Sequence, residues 1–331
     1  MGWSHLKIIG GLYLGWGIGA NDSANIFGTA VATRIIPYRL ATILIAVFVV
    51  LGAVLQGPTQ YLSLDFSGEA GDTTSTEALL ATLATALTVT VITWLAIPAS
   101  TSQAAVGGLM GIAVSSAGLG GVHWDRFGAM VVCWALNPVL SAVVCYFFLF
   151  LLGKIVNRWI RTAIGRDRFC LLGLLGFGCY GAYALGANNV VVTTAAYFHS
   201  GTFGPPTLTS ARWAALAGSL SIAVGALTYS RKVMTTVGCR VTPLNPFSAL
   251  CVVLTSGVAL NIFTLLHIPI SSSQAVVGSL IGVSVYDRGG FGNLGELLKI
   301  FSGWLLTPFV ACLAALFLAW GAHHLHIVLL S

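Results

Sequence analysis

Apolar residues in this chain run in long, nearly unbroken blocks, with polar residues gathered in short clusters between them. Ten blocks stand out, at about 6–33, 40–60, 76–97, 98–117, 127–152, 170–198, 208–229, 246–267, 269–285 and 296–321. Several exceed the roughly 18 apolar residues that mark a membrane-crossing helix. None consists of the ten-residue units of strict alternation expected of a transmembrane β-barrel. A helix satisfies its own backbone groups in lipid, so the pattern predicts an all-α integral membrane protein of about ten transmembrane segments. The stretches 97–117 and 268–285 each contain a proline followed by hydroxyl residues, and they either span or re-enter.

Composition agrees. The 331 residues are 57% hydrophobic and only 7% charged, with a mean hydropathy of +0.92. Soluble domains carry about 25% charged residues. The net charge of +6 points to cytoplasmic loops rather than to a nucleic-acid partner, because basic residues orient multi-pass proteins. The richest loop holds Lys154, Arg158, Arg161, Arg166 and Arg168. Placing it in the cytoplasm puts Arg34, Arg39, Arg231, Lys232, Arg240, Arg288 and Lys299 on the same side. Lys7, Arg126 and Arg212 then lie opposite, as does the loop with Asp65, Glu69, Asp72 and Glu77. The expectation is a multi-pass protein of the cell membrane with both termini extracytoplasmic. The first block lacks a clear cleavage site and does not read as a signal peptide. Seven scattered cysteines, without CxxC spacing, read as small apolar fillers.

The chain repeats itself. "GANDSAN" at 19 returns as "GANNVVV" at 186, "PASTSQAAVGGLMG" at 98 as "PISSSQAVVGSLIG" at 269, and "WALNP" at 134 as "WLLTP" at 304. These starts differ by 167, 171 and 170 residues. Three ordered matches at a near-constant offset mark an internal duplication. Five blocks per half would insert the second half upside down, the inverted-repeat plan of many secondary transporters, with broken or half-length helices at a midplane site. The corresponding division is a first repeat over 1–153, a basic cytoplasmic connector over 154–169 and a second repeat over 170–331.

The chemistry concentrates in the repeated motifs. Pro98 interrupts helix, and Ser100, Thr101 and Ser102 then offer N-capping hydroxyls. Ser271, Ser272 and Ser273 do the same behind Pro269. Two such helix starts facing one another present free N–H groups and positive dipole ends to an oxyanion. Taken singly, these hydroxyls could equally serve their own helices. Gln103 and Gln274 can donate to the anion or bridge two helices. The glycine pairs Gly107/Gly111 and Gly278/Gly282, and the series Gly11, Gly15 and Gly19, allow close helix approach. Asp22 is the one acidic residue well inside a block. With Asn21 and Asn25 it forms a hard-oxygen set suited to Na⁺, or an acid able to carry H⁺. His323, His324 and His326 read as a solvated tail patch, and His267 as an interfacial residue.

At these residues the chain resembles the inorganic phosphate transporter (PiT) family, whose members carry duplicated Gly-x-Asn-Asp-x-x-Asn and Pro-x-Ser-Thr-Thr-like motifs. "GANDSANIFGTAV", "PASTSQ", "PISSSQ" and "SRKVMTTVGCRVTPLNPFSA" at 230–249 carry the likeness, which runs through most of the chain. The resemblance implies a secondary active transporter, not an enzyme, importing phosphate with Na⁺ or H⁺ by alternating access. The alternatives are a permease for sulfate or a related oxyanion, and an anion channel. The expected anion site is Asn21, Ser100, Thr101, Ser102, Gln103, Asn188, Ser271, Ser272, Ser273 and Gln274. Asp22, Asn25 and Asn189 are expected to couple the cation. No cofactor is expected beyond Na⁺ as coupling ion. The expected partners are a tetrahedral oxyanion, the cation, the bilayer and, as an open assembly state, further copies of the chain. Four departures from the family pattern stand out. The second motif reads Asn188-Asn189 where the family repeats Asn-Asp. Both Ser/Thr motifs end in Gln rather than His. Val49 and Leu250 stand where many members carry Glu. The long central insertion of some members is missing.

Overall fold

A computed structural model of the protein describes residues 5–63, 74–95, 100–240, 242–268 and 270–324. Twelve α-helices follow one another among them: α1 (Ile9–Ala32), α2 (Tyr38–Leu55), α3 (Gly57–Ser63), α4 (Ser75–Trp94), α5 (Thr101–Ala117), α6 (Trp124–Trp159), α7 (Ala163–His199), α8 (Leu208–Tyr229), α9 (Arg231–Arg240), α10 (Pro246–Leu265), α11 (Ser272–Arg288) and α12 (Leu294–His324). Pro98, Pro269, Asp65, Glu69, Asp72 and His326 lie outside the described residues.

Among the described residues, eight helices are long and apolar enough to cross a membrane: α2, α4, α5 with the turn after it, α6, α7, α8, α10 and α12. The sequence pattern led us to expect ten. The two blocks that do not qualify are those of α1 and α11; α5 and α7 also carry motifs and do qualify. Helix α11 has 17 residues, and the middle of α1 holds the Asn/Asp cluster. Helices α6 and α7 run beyond their apolar blocks, to Trp159 and from Ala163, so the basic stretch is largely helical. Lys and Arg are good helix formers; hydropathy locates the lipid-compatible part of a helix, not its end. Only Ile160–Thr162 break the run, and the Thr162 hydroxyl caps α7 by accepting from Gly165 N at 3.2 Å.

Capping fixes other boundaries. Thr74 and Glu77 form a capping box at α4, with Thr74 N donating to Glu77 Oε2 at 2.8 Å and Glu77 N to Thr74 Oγ1 at 3.2 Å. Asn245 caps α10, whose first residue is Pro246. Apolar side chains stand outward on the two helices that carry an internal proline: Val143 on α6 is 63% exposed and Phe317 on α12 is 69% exposed. That is the exterior lipid solvates.

The interior packing is reciprocal. A Cβ on Gly107 of α5 would collide with the carbonyl of Pro308 in α12; one on Gly278 of α11 would collide with the carbonyl of Pro138 in α6. Gly111 meets Cys312 as Gly282 meets Ala142. Likewise Gly19 of α1 abuts Ile222 of α8, and Gly225 of α8 abuts Trp16; Gly186 of α7 abuts Val49 of α2, and Gly52 of α2 abuts Tyr183. Each of these four pairs consists of two counterpart contacts, and every one of them joins the two halves of the chain. Helix α6 packs on α11 and α12 on α5, so the last helix of each half is lent to the other half. A side chain at any of these glycines must push backbones apart, a class of change that costs about 1–3 kcal/mol or more.

Candidate functional site

The motifs meet in the centre of the bundle. Helix α1 contributes Asn21, Asp22 and Asn25, α7 contributes Asn188 and Asn189, and the first turns of α5 and α11 contribute the hydroxyl runs. All thirteen expected site residues are buried, none more than 5% exposed. Asp22 is fully buried; apart from Lys7, which bonds Ser75 and Thr76, no other charged side chain among the described residues is buried.

Both α5 and α11 begin as capped helices. Ser100 is extended (φ −94°, ψ 94°) and its hydroxyl accepts from Gln103 N at 3.4 Å. Ser271 is also extended (φ −83°, ψ 116°) and accepts from Gln274 N at 3.4 Å. The cap is thus the first hydroxyl of each run. Thr101 and Ser272 begin the helices, and neither helix has an acid in its first turn to offset the positive dipole end. Ser271 and Ser273 share a 2.9 Å hydrogen bond. Asn137 of α6 donates to the Ser271 carbonyl at 3.0 Å and accepts from Ser141 at 3.3 Å.

Three contacts tie the motifs together. Thr101 Oγ1 donates to Asp22 Oδ2 at 2.7 Å, and Asn189 Nδ2 donates to the same oxygen at 2.8 Å. Asn25 Nδ2 donates to Ser272 Oγ at 2.9 Å. Hydrogen bonds to a charged acceptor contribute about 1.5–3 kcal/mol each, so these hold α1, α5 and α7 together around the carboxylate. Asn21 and Asn188 face elsewhere, and in matched fashion: Asn21 Nδ2 donates to Thr93 Oγ1 at 3.0 Å and Asn188 Nδ2 to Thr264 Oγ1 at 3.0 Å. Asn188 Nδ2 also lies 3.5 Å from the Ile268 carbonyl.

Sequence reasoning missed Thr93, Thr264 and Asn137. A signal was present for each. Thr93 and Thr264 each precede a repeated proline by five residues, and Asn137 sits within "WALNP". His267, read as interfacial, closes α10 in a left-handed conformation (φ 57°), with Nδ1 3.4 Å from Gln60 Nε2.

What remains unsatisfied defines the chemistry. Asp22 Oδ1, Asn25 Oδ1 and Asn189 Oδ1 are buried and have no hydrogen-bond partner in the protein. The same holds for Asn188 Oδ1, Gln103 Oε1, Gln274 Oε1 and Ser102 Oγ. Leaving such a group unmet costs about 1–3 kcal/mol. The first three are hard oxygens that cannot donate, the ligand type of an alkali or alkaline-earth cation. The helix starts beside them supply free N–H groups, which suit an anion. One site therefore offers both kinds of ligand.

A multi-pass helical membrane protein with a buried, two-signed polar centre is the class these features define. The chain belongs to the phosphate transporter family: the family's profile matches it twice, over residues 18–170 and 161–315. A Methanocaldococcus jannaschii protein assigned as a phosphate permease is 27% identical over 310 residues, spanning 93% of this chain and 94% of its own. A Bacillus subtilis protein assigned as a low-affinity inorganic phosphate transporter is 26% identical over 313 residues, spanning 90% and 91%. Among solved structures, a sodium-dependent phosphate transporter has the same fold, with a TM-score of 0.83 and 22% identity over 98% of this chain and 99% of that one.

Proposed function

We propose that the protein is a secondary active transporter that imports inorganic phosphate together with Na⁺, by alternating access between two inverted halves. The observation that carries this reading is the set of unpartnered buried oxygens on Asp22, Asn25 and Asn189, set among two capped helix starts. Phosphate docks on the N–H groups at the starts of α5 and α11, and Na⁺ docks on the oxygens. Each ion offsets the charge of the other in a site shielded from water, where an unpaired charge is expensive. Transport of one therefore requires the other. Family membership supports phosphate as the anion. Chemistry supports it too, because phosphate keeps an O–H at neutral pH that can donate to Gln103 Oε1, Gln274 Oε1 or Asn188 Oδ1, whereas sulfate has none.

In this reading the basic residues at 154–168 face the cytoplasm, both termini lie outside, and the reciprocal glycine contacts are the surfaces on which one half rocks against the other. Labelled phosphate and sulfate uptake into proteoliposomes, with Na⁺ and pH gradients varied separately, tests it. Saturable phosphate uptake driven by Na⁺ is expected, with at least a hundredfold loss in Asp22→Asn, the equivalent of about 2.7 kcal/mol or more. Uptake unchanged by Asp22→Asn would remove the carboxylate from the mechanism. Sulfate uptake insensitive to phosphate would reassign the anion.

A further inference from the structure

Positions 22 and 189 are counterparts in the duplicated motif, 167 residues apart, yet one is a carboxylic acid and the other an amide. Their side chains touch, with Asn189 Nδ2 donating 2.8 Å to Asp22 Oδ2, the oxygen that also accepts from Thr101. Suppose the second copy were also a carboxylate. Two acceptor-only anionic groups would then stand at hydrogen-bonding distance in a fully buried place. That arrangement persists only with a shared proton or a cation between them. The amide removes the need: its N–H brings a fixed positive dipole end to the position such a cation would occupy. Because that N–H is committed to Asp22, the Asn189 Oδ1 is left without a partner. The remaining unpartnered oxygens next to the carboxylate are Asp22 Oδ1 and Asn25 Oδ1. They sit three residues apart on α1, one helical turn.

We propose that Asn189 sets the coupling ratio, holding it at one Na⁺ per phosphate: its N–H stands in for a second cation, and the single Na⁺ binds the free oxygens of Asp22, Asn25 and Asn189. This rests on the Na⁺-phosphate reading above. The charges support it, since Asp22 is the one buried carboxylate among the described residues, and with no Lys or Arg among them bonded to it, it calls for one monovalent cation. Na⁺ and dihydrogen phosphate together carry no net charge, so the loaded site keeps the single negative charge of Asp22, facing the positive ends of α5 and α11.

Two measurements decide it. Binding of radiolabelled Na⁺ to the purified full chain, without phosphate, should saturate at about one ion per chain, and the Na⁺ dependence of phosphate uptake should give a Hill coefficient of about one. In Asn189→Asp, Na⁺ binding should rise to about two ions per chain and the Hill coefficient toward two; in Asp22→Asn, saturable Na⁺ binding should be lost. Two ions per wild-type chain, or none, would overturn the proposal, as would a monodisperse Asn189→Asp protein that still binds one. If Asn189→Asp does not fold, the wild-type count decides alone. A wild type that binds one Na⁺ but takes up no phosphate fails the transport reading and leaves the cation count standing.

Discussion

The two halves of the site use the same scaffold and differ in what they place on it. In the first half, Asp22 draws Thr101 and Asn189 onto one oxygen, while Asn25 reaches across to Ser272. In the second half the corresponding positions are Asn189 and Val192, neither of which can accept as a charged group. The framework around both is conserved in geometry: Asn21 on Thr93 and Asn188 on Thr264, Ser100 capping α5 and Ser271 capping α11. The comparison teaches that the duplicated parts build the cradle and the unmatched parts assign the charge. Symmetric packing is thus compatible with an asymmetric placement of charge.

The comparison can be tested at three levels. The largest effect is expected where the halves are alike. Gly107→Leu and Gly278→Leu should be equally damaging, each forcing a helix off a proline carbonyl, and each should cost about 3 kcal/mol or more. The yield of monodisperse protein and its melting temperature read this; a large asymmetry between the two would mean that the packing is not reciprocal in energy. The next effect separates the halves. Thr101→Val removes a hydrogen bond to a carboxylate and should weaken Na⁺-driven uptake by about 10–100-fold, in line with about 1.5–3 kcal/mol for such a bond. Ser272→Ala, which removes the acceptor of the Asn25 amide and a weaker hydrogen bond to Asp22 than that of Thr101, should lose less, about threefold, in line with the ~0.6 kcal/mol typical of hydrogen bonds inside membranes. Equal losses in KM for Na⁺ would show that the carboxylate is not the centre of the site. The smallest effect lies at the lent helices. Asn137→Ala frees the Ser271 carbonyl and should cost about 1 kcal/mol in thermal stability, whereas Thr307→Ala, whose hydroxyl bonds its own helix at Gly303, should stay within about 0.5 kcal/mol.

Much of this site was legible in the sequence because its residues are conspicuous. A carboxylate within an apolar block, and hydroxyl runs behind prolines, stand against their surroundings. The motifs that hold them recur at a near-constant offset, which singled out both as candidate site residues. Thr93, Thr264 and Asn137 escaped for the opposite reason. A threonine in a spanning helix reads as a packing residue, since its hydroxyl can bond the preceding turn, as Thr264 does with Leu260. That it also receives an amide from another helix depends on tertiary placement. The same limit explains the exchange of α6 and α12 between halves. The motif "WALNP" repeats as "WLLTP", but nothing in it says that the first packs on α11 and the second on α5. Helix ends were least legible where charge and helicity part company, as at 153–170, where basic residues leave the apolar block without leaving the helix.

The lending of α12 to α5 has a consequence for how the protein is made. A ribosome makes residues 294–324 long after those of α5, yet they are the wall against which Gly107 and Gly111 rest. Helix α5 must therefore wait in the membrane, lacking its permanent neighbour, until α12 has been synthesised. The waiting helix carries serine and threonine at its start and glycines along its flank, surfaces that attract other helices. Truncation of the last helix should consequently expose the first half to degradation, although every residue of that half is intact.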